Sequence, residues 1–406
     1  MFKGLSRMIL TTLALGALLV GCAADDDPAR DPGEGVVLDN LRNGDVIPGQ
    51  YIVTLRADTL TLPKRQLGFA DTKTWLRGDS EELLGDNGLA GAAIEHVYGS
   101  ALKGFSVHTD ADGAARLAAD WRVEAIEPDR VIALEQPDFQ PTARPPGGGG
   151  GGAQQTPWGI TRVGGSTNYS GSGVAWIIDT GVDLDHPDLN VDASRGFSAF
   201  TNGKDASPDD GNGHGSHVSG TIAAINNSTG VVGVAAGATV IPVKVLSSSG
   251  SGSTSGVIAG VDYVGANGSN GDVANMSLGG GASTALDNAV KGAAGSVKFA
   301  IAAGNSGADA NTASPARANG ANIYTISAID SSDTMPSWSN YGNPPVDYAA
   351  PGVSVLSCYK GGSYSTLSGT SMATPHAAGV LLLGAPHTSG TANGDPDGNP
   401  DPIIHR

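Results

Sequence analysis

The chain has 406 residues, 39% of them apolar and 5% aromatic, which leaves room for two or three domains. Its formal charge of −17 argues against nucleic acid and anionic membrane surfaces as partners, because both would repel it. The two cysteines, Cys22 and Cys358, lie in unlike contexts and do not make a disulfide framework.

The chain begins with Lys3 and Arg7, then an apolar run over 8–20 that is too short to span a membrane comfortably. The run ends LVGC at 19–22, which resembles the lipobox of bacterial lipoproteins. The resemblance implies cleavage before Cys22 and a lipid on its sulfur. An ordinary cleaved signal, with Cys22 incidental, is the alternative, and either one exports the protein. Residues 1–21 are therefore a targeting segment, and the polar stretch 22–48, with Asp25, Asp26 and Asp27 in a row, reads as a tether.

Residues 49–136 alternate strand and helix patterns. GQYIVTLR (49–56) alternates like a strand and 73–84 suits a helix. Residues 96–109 hold two short strands around a glycine turn, 112–120 suits a helix, and 123–135 is strand-like at both ends. The order βαββαβ predicts a small α+β two-layer domain. PPGGGGGG (145–152) then marks a linker, 137–153, because six consecutive glycines are costly to order.

The remainder, 154–406, changes texture. The apolar runs VAWIID (174–179), TVIPVKVL (239–246), DVANMSL (272–278), KFAIAAGN (298–305) and IYTISAID (323–330) alternate with helical segments. That pattern predicts an α/β fold with a doubly wound, mostly parallel sheet covered on both faces. Functional groups in such sheets collect at the C-terminal ends of strands, where Asp179 and Asn305 follow apolar runs.

Hydrolysis by a serine needs a base, a group that orients the base, and donors for the oxyanion. Of eight histidines, His214 in DGNGHGSHVSGT has the most constrained setting, among glycines at the start of a helix. His214 and His217 also form an HxxH pair, but neither a third ligand nor HExxH accompanies it, so zinc is disfavoured. His217 and His376 read as structural and His186 as a turn residue. Ser371 in GTSMATPHAAG stands before an apolar run and reads as a helix cap or as a nucleophile at a helix N-terminus. Pro375 is expected in the first turn of that helix, where a missing N–H is harmless.

Three blocks decide between these readings. DTGVDLDHPDL around Asp179, GNGHGSHVSGT around His214 and GTSMATPHAAG around Ser371 resemble the active-site blocks of the subtilisin-like serine proteases, in the order Asp, His, Ser. The resemblance runs over about 156–383 through ANMSLGGG, AAGNSGADA, SPAR, SNYG and YAAPG, and is nearest the proteinase K-like branch. YIVTL, LKGFSV and VEAIEPDRVI resemble the family's inhibitory propeptide.

The resemblance implies that Ser371 attacks the peptide carbonyl, His214 takes and returns the proton, Asp179 orients His214, and Asn305 donates to the oxyanion. It implies substrate pairing along Gly250, Ser251 and Gly252 and along Ser277, Leu278, Gly279 and Gly280. Ala302, Ala303 and Gly304, with Leu278, would line a pocket for apolar or aromatic residues. It also implies structural calcium with Asp347 as a ligand. Asp395, Asp397 and Asp401 in the carboxy-terminal GDPDGNPDP are spaced like oxygen ligands, although a solvated acidic tail is the favoured reading.

Ser216 and Ser219 stand where the family usually has Thr and Ala. The single cysteine of the enzyme domain forbids the family's disulfides. The expected protein is thus an exported, lipid-anchored, autoprocessed monomeric endopeptidase. Protein substrates and its own propeptide are its partners, and it has no organic cofactor. Maturation is expected near 153–155. A scaffold on a degenerate protease fold is disfavoured by the filled catalytic positions, and a lipase by the missing GxSxG elbow.

Overall fold

The computed structural model describes residues 41–60, 67–134 and 153–406. The targeting segment, Cys22 and the glycine run lie outside the described residues.

The amino-side domain has the predicted order: β1 (Val46–Leu55), α1 (Phe69–Asp86), β2 (Ile94–Tyr98), β3 (Gly104–His108), α2 (Ala111–Ala119) and β4 (Val123–Ala133). The two strand-like ends expected in 123–135 are one continuous strand. The sheet order is β4-β1-β3-β2, with all neighbours antiparallel. Helix α1 buries Leu76, Leu83 and Leu84, one stripe at helical spacing, and α2 buries Ala114 and Leu117 behind an Asp110 cap whose carboxylate accepts from Gly113 N at 2.7 Å. Leu76, Leu83, Leu84 and Leu117 form the domain's own core together with Val53, Leu55, Phe105 and Val107.

The large domain is built on a ten-stranded sheet. From one edge its strands run 387–391, 402–405, 346–351, 323–329, 298–302, 273–276, 175–179, 239–244 and 190–191, and a short strand at 197–198 also pairs with 239–244. All named pairings are parallel except the first. Trp176 and Ile178 face helices Thr254–Asn267 and Thr284–Ala293, while Ala175 and Ile177 face helices His214–Ala223 and Thr370–Leu383. Burial on both faces explains why these strands read as continuous apolar runs.

The carboxy-terminal residues do not form a solvated tail throughout. Strands His387–Thr391 and Pro402–His405 make a hairpin that extends the central sheet through Ala349 and Ile403, and Ile403 and Ile404 are buried. Asp397 is exposed at the turn, but Asp401 is buried and accepts from Ser327 Oγ at 2.6 Å. Burial pushes its carboxyl up to about 7, helped by the nearby Asp395 and Asp397 carboxylates and opposed by the Ser327 bond.

Candidate active site

Asp179 ends strand Ala175–Asp179, and His214 opens helix His214–Ala223. The glycines around His214 are needed for close approach. Gly213 has φ +111°, and a Cβ there would stand 2.4 Å from the Tyr359 ring. One on Gly215 would stand 1.8 Å from Gly181 O. The result is a buried pair, with His214 Nδ1 2.8 and 3.0 Å from the two Asp179 carboxylate oxygens. Burial alone would push the imidazole pKa down. The Asp179 charge and hydrogen bond, with Asp210 behind them, outweigh it and leave the pKa raised.

Ser371 is the second residue of helix Thr370–Leu383, close to the unpaired N–H groups of its first turn. Its hydroxyl donates to Ser277 O at 3.1 Å, so it must rotate to reach an imidazole. Pro375 lies deeper than expected, as the sixth helical residue. The ring nitrogen cannot donate to the Ser371 carbonyl four residues back, and Ser277 Oγ donates to that carbonyl instead at 2.8 Å. Asn305 follows strand Lys298–Ala302, and its Oδ1 accepts from Thr370 N at 2.8 Å and Thr370 Oγ1 at 2.9 Å. A Cβ on Gly369 would stand 3.6 Å from both Asn305 Nδ2 and Ser371 N. Those two donors therefore border one small space beside Ser371.

The segments expected to pair with substrate are paired here with the chain's own β4. Ser251, Gly252 and Ser253 oppose Ala133, Ile132 and Val131, Gly280 opposes Ile132, and Leu134 N donates to Gly250 O at 2.9 Å. At the end of β4, Ala133 and Leu134 line a cavity of about 250 Å³ together with Ser277, Leu278, Ala302, Gly304, Asn305 and Ser371, among others. None of its lining side chains is charged.

A subtilase family model matches residues 171–386, and a peptidase inhibitor I9 model matches 50–135. The chain belongs to the subtilase family. The extracellular serine proteinase of Thermus sp. (strain Rt41A) is 38% identical over 390 residues, covering 91% of this chain and 88% of that one. The alkaline serine exoprotease A of Vibrio alginolyticus is 43% identical over 310 residues, 73% of this chain and 54% of that protein. A crystal structure of a cold-adapted subtilisin-like serine proteinase aligns at TM-score 0.54 and 40% identity, over 61% of this chain and 97% of that one. The protein is a subtilisin-like serine protease with an I9 propeptide domain.

Two other features of this subtilase escaped the sequence reading. Asp210 is buried and ties the end of the strand that carries Asp179 to the start of the helix that carries His214. One oxygen accepts from Thr180 Oγ1 at 2.9 Å, Asn212 N at 2.9 Å and Gly213 N at 2.8 Å, and the other from Ser216 N at 2.9 Å and Ser216 Oγ at 2.7 Å. Its position four residues before His214 was the available signal. Ser216 thus has a specific role, while Ser219 only bonds back to Gly215 O at 2.7 Å. The remaining helical histidines are structural. His217 Nε2 donates to Val355 O at 3.0 Å and Ser365 O at 3.1 Å, His376 Nδ1 lies 2.9 Å from Met372 O, and burial lowers their pKa values to about 3 and about 4.

The second feature is an oxygen cage. The Gln154 amide nitrogen Nε2 donates toward Ile225 O at 2.7 Å, Val231 O at 3.0 Å, Thr229 O at 3.4 Å and Asn227 Oδ1 at 3.5 Å. Buried Asp188 stands beside it, accepting from Asn227 Nδ2 at 2.7 Å and Val231 N at 3.0 Å. Turning the Gln154 amide over, a change its shape permits, would make the cage all oxygen. Such a set of neutral oxygens, held in place by the Asp188 carboxylate behind Asn227 and Val231, is of the kind calcium accepts. Asp347, the sequence candidate, accepts from Thr325 N at 2.9 Å, and burial pushes its carboxyl up to about 6. Among the described residues no three His, Cys, Asp or Glu side chains converge as a metal site.

Proposed function

We propose that this subtilase is an exported endopeptidase of broad specificity in which Ser371 is the nucleophile, His214 the general base and acid, and Asp179 the group that orients His214. The buried Asp179–His214 pair, together with Ser371 in the first turn of its helix beside Asn305, carries the reading. The Ser371 oxygen attacks the carbonyl carbon and its proton passes to His214 Nε2. Asp179 stabilises the resulting imidazolium, and Ser371 N with Asn305 Nδ2 takes up the charge on the carbonyl oxygen. His214 then gives its proton to the leaving amine, and water repeats the sequence on the acyl-enzyme. The uncharged cavity favours apolar or aromatic residues on the acyl side of the cut.

The propeptide inhibits as a substrate-like strand, with β4 filling both edges of the cleft. Gln154 and Gln155 are held on the enzyme body, Gln155 N donating to Gly230 O at 2.8 Å. The maturing cut therefore falls after Leu134 and before Gln154. The mature enzyme keeps the oxygen cage and loses Cys22, so a lipid at Cys22 tethers the precursor. Calcium at the Gln154 cage stabilises the fold, with Asp347 a second candidate ligand.

Fluorophosphonate labelling of the purified protein in calcium tests the central assignment. Wild type should be labelled at enzyme-domain size, and Ser371→Ala should remain a full-length, unlabelled precursor. A Ser371→Ala chain that matures in isolation, or wild type that folds and matures but resists the probe, would sink it.

A further inference from the structure

An oxyanion donor is useful only if it is aimed before charge develops, so the loop bearing Asn305 has to be held. Its sequence, AAGNSGADA, supplies little stiffness of its own, and Gly304 and Gly307 both have positive φ, +108° and +63°. Thr370 braces one side. It donates twice to Asn305 Oδ1, and its Oγ1 accepts from Gly304 N at 3.1 Å.

The other side is held by the 338–341 segment, through backbone bonds of Gly307 N to Trp338 O at 2.8 Å and Tyr341 N to Ala308 O at 3.1 Å and through the side chain of Asn340, only 2% exposed. Its Nδ2 donates to Ala303 O at 2.8 Å. Its Oδ1 accepts from Ser306 N at 3.1 Å, Ser306 Oγ at 3.1 Å and Ala308 N at 3.0 Å. Its backbone N donates to Gly304 O at 2.9 Å. The bonds grip the chain on both sides of Asn305. The fit is close, since a Cβ on Gly304 would stand 2.4 Å from Asn340 Nδ2.

We propose that Asn340 is a positioning residue for the oxyanion site, fixing the 303–308 loop so that the Asn305 amide points at the developing charge. The inference rests on the Asn305 reading above. An aspartate would keep the acceptor and lose the donor to Ala303 O. A serine or alanine would lose both arms of the clamp.

The test is a double-mutant cycle on the mature enzyme: wild type, Asn340→Ala, Asn305→Ala and the double variant, with kcat and KM measured on a soluble peptide amide in calcium. Asn305→Ala should lower kcat by roughly 10²–10³, the range for loss of one such donor. Asn340→Ala should lower kcat by about 10², as a misplacement near 1 Å can, with KM changed by less than about threefold. The double variant should be no slower than Asn305→Ala alone, because Asn340 has nothing left to aim. Unchanged kcat in Asn340→Ala beside a slow Asn305→Ala would overturn the positioning role and leave Asn305 standing. An equal loss from Asn340→Ala in both backgrounds would also overturn it. Unchanged kcat in Asn305→Ala would overturn both assignments. If Asn340→Ala fails to fold, Asn340→Asp, which loses only the donor to Ala303 O, enters the same cycle: a smaller loss of kcat that vanishes in the Asn305→Ala background supports the role, and an unchanged kcat overturns it.

Discussion

Asp179 and His214 lie 35 residues apart in the chain, and their contact depends on groups that do no chemistry. Asp210 and Thr180 knot the strand end to the helix start, and Gly215 N donates to Thr180 Oγ1 at 2.9 Å. His214 must be neutral to accept a proton, and its pKa is raised above the ordinary 6.5. Activity should therefore be lost as pH falls, with a midpoint above that value, in the kcat/KM profile of the mature enzyme. Asp210→Asn removes a charge that favours the imidazolium, so it should move the midpoint down. A profile that keeps its midpoint in this variant would refute a contribution from the Asp210 charge.

At the scale of elements, β4 is both a strand of the propeptide sheet and a strand of the enzyme cleft. Three carboxylates fasten it and its neighbours to the enzyme's helices. Glu127 of β4 accepts from Ser283 Oγ at 2.9 Å and Ala285 N at 3.0 Å, at the start of helix Thr284–Ala293. Asp129 of β4 accepts from Ser255 N at 3.0 Å, at the start of helix Thr254–Asn267. Asp262 of that helix accepts from Gly99 N, Ser100 N and Ala101 N at 2.9, 2.6 and 2.8 Å. Negative charge at helix N-termini is favourable. Even so, burial raises the Asp129 carboxyl to about 6, and its second oxygen has no partner. A carboxyl whose pKa rises on burial contributes most below its ordinary pKa and loses that contribution as pH climbs through about 6. Wild-type propeptide should thus weaken relative to Asp129→Asn as pH goes from about 4 to about 6, with the ratio level above. A ratio of inhibition constants that is flat across the window would refute this.

For the whole molecule, folding of the precursor joins the two domains through a shared sheet and a shared core. Ile52, Tyr98, Leu102 and Ile132 of the propeptide pack in one apolar cluster with Val257, Ile258, Val261, Leu286 and Val290 of the enzyme. Release of the propeptide uncovers that surface, so the mature enzyme depends on its remaining clamps. The Gln154 cage is one of them, because it pins the new amino-terminal segment to 225–231. Calcium there should raise Tm in proportion to the logarithm of its concentration, adding about 2.7 kcal/mol at a hundred times Kd. Chelator should remove the increment, and Asp188→Asn should abolish the calcium dependence. A Tm of the mature enzyme indifferent to both would refute the site.

Much of this was legible in the sequence. The parallel strands announced themselves as apolar runs because both faces are buried, and Asp179, His214, Ser371 and Asn305 stood in short motifs that resemble the subtilase blocks. What the sequence could not decide were relations between segments far apart. The depth of Pro375 in its helix depended on a hydroxyl from Ser277, which takes up the Ser371 carbonyl from 94 residues away. The oxygens around Gln154 come from a loop more than 70 residues on, three of them backbone carbonyls that leave no mark in a side-chain pattern. The carboxy-terminal Asp-rich stretch looked solvated because its composition is polar. Only the free edge of strand Val346–Pro351 made a place for Ile403 and Ile404 to be buried. Local motifs fix what a residue can do, and tertiary packing decides which polar groups it must satisfy and which it leaves for chemistry.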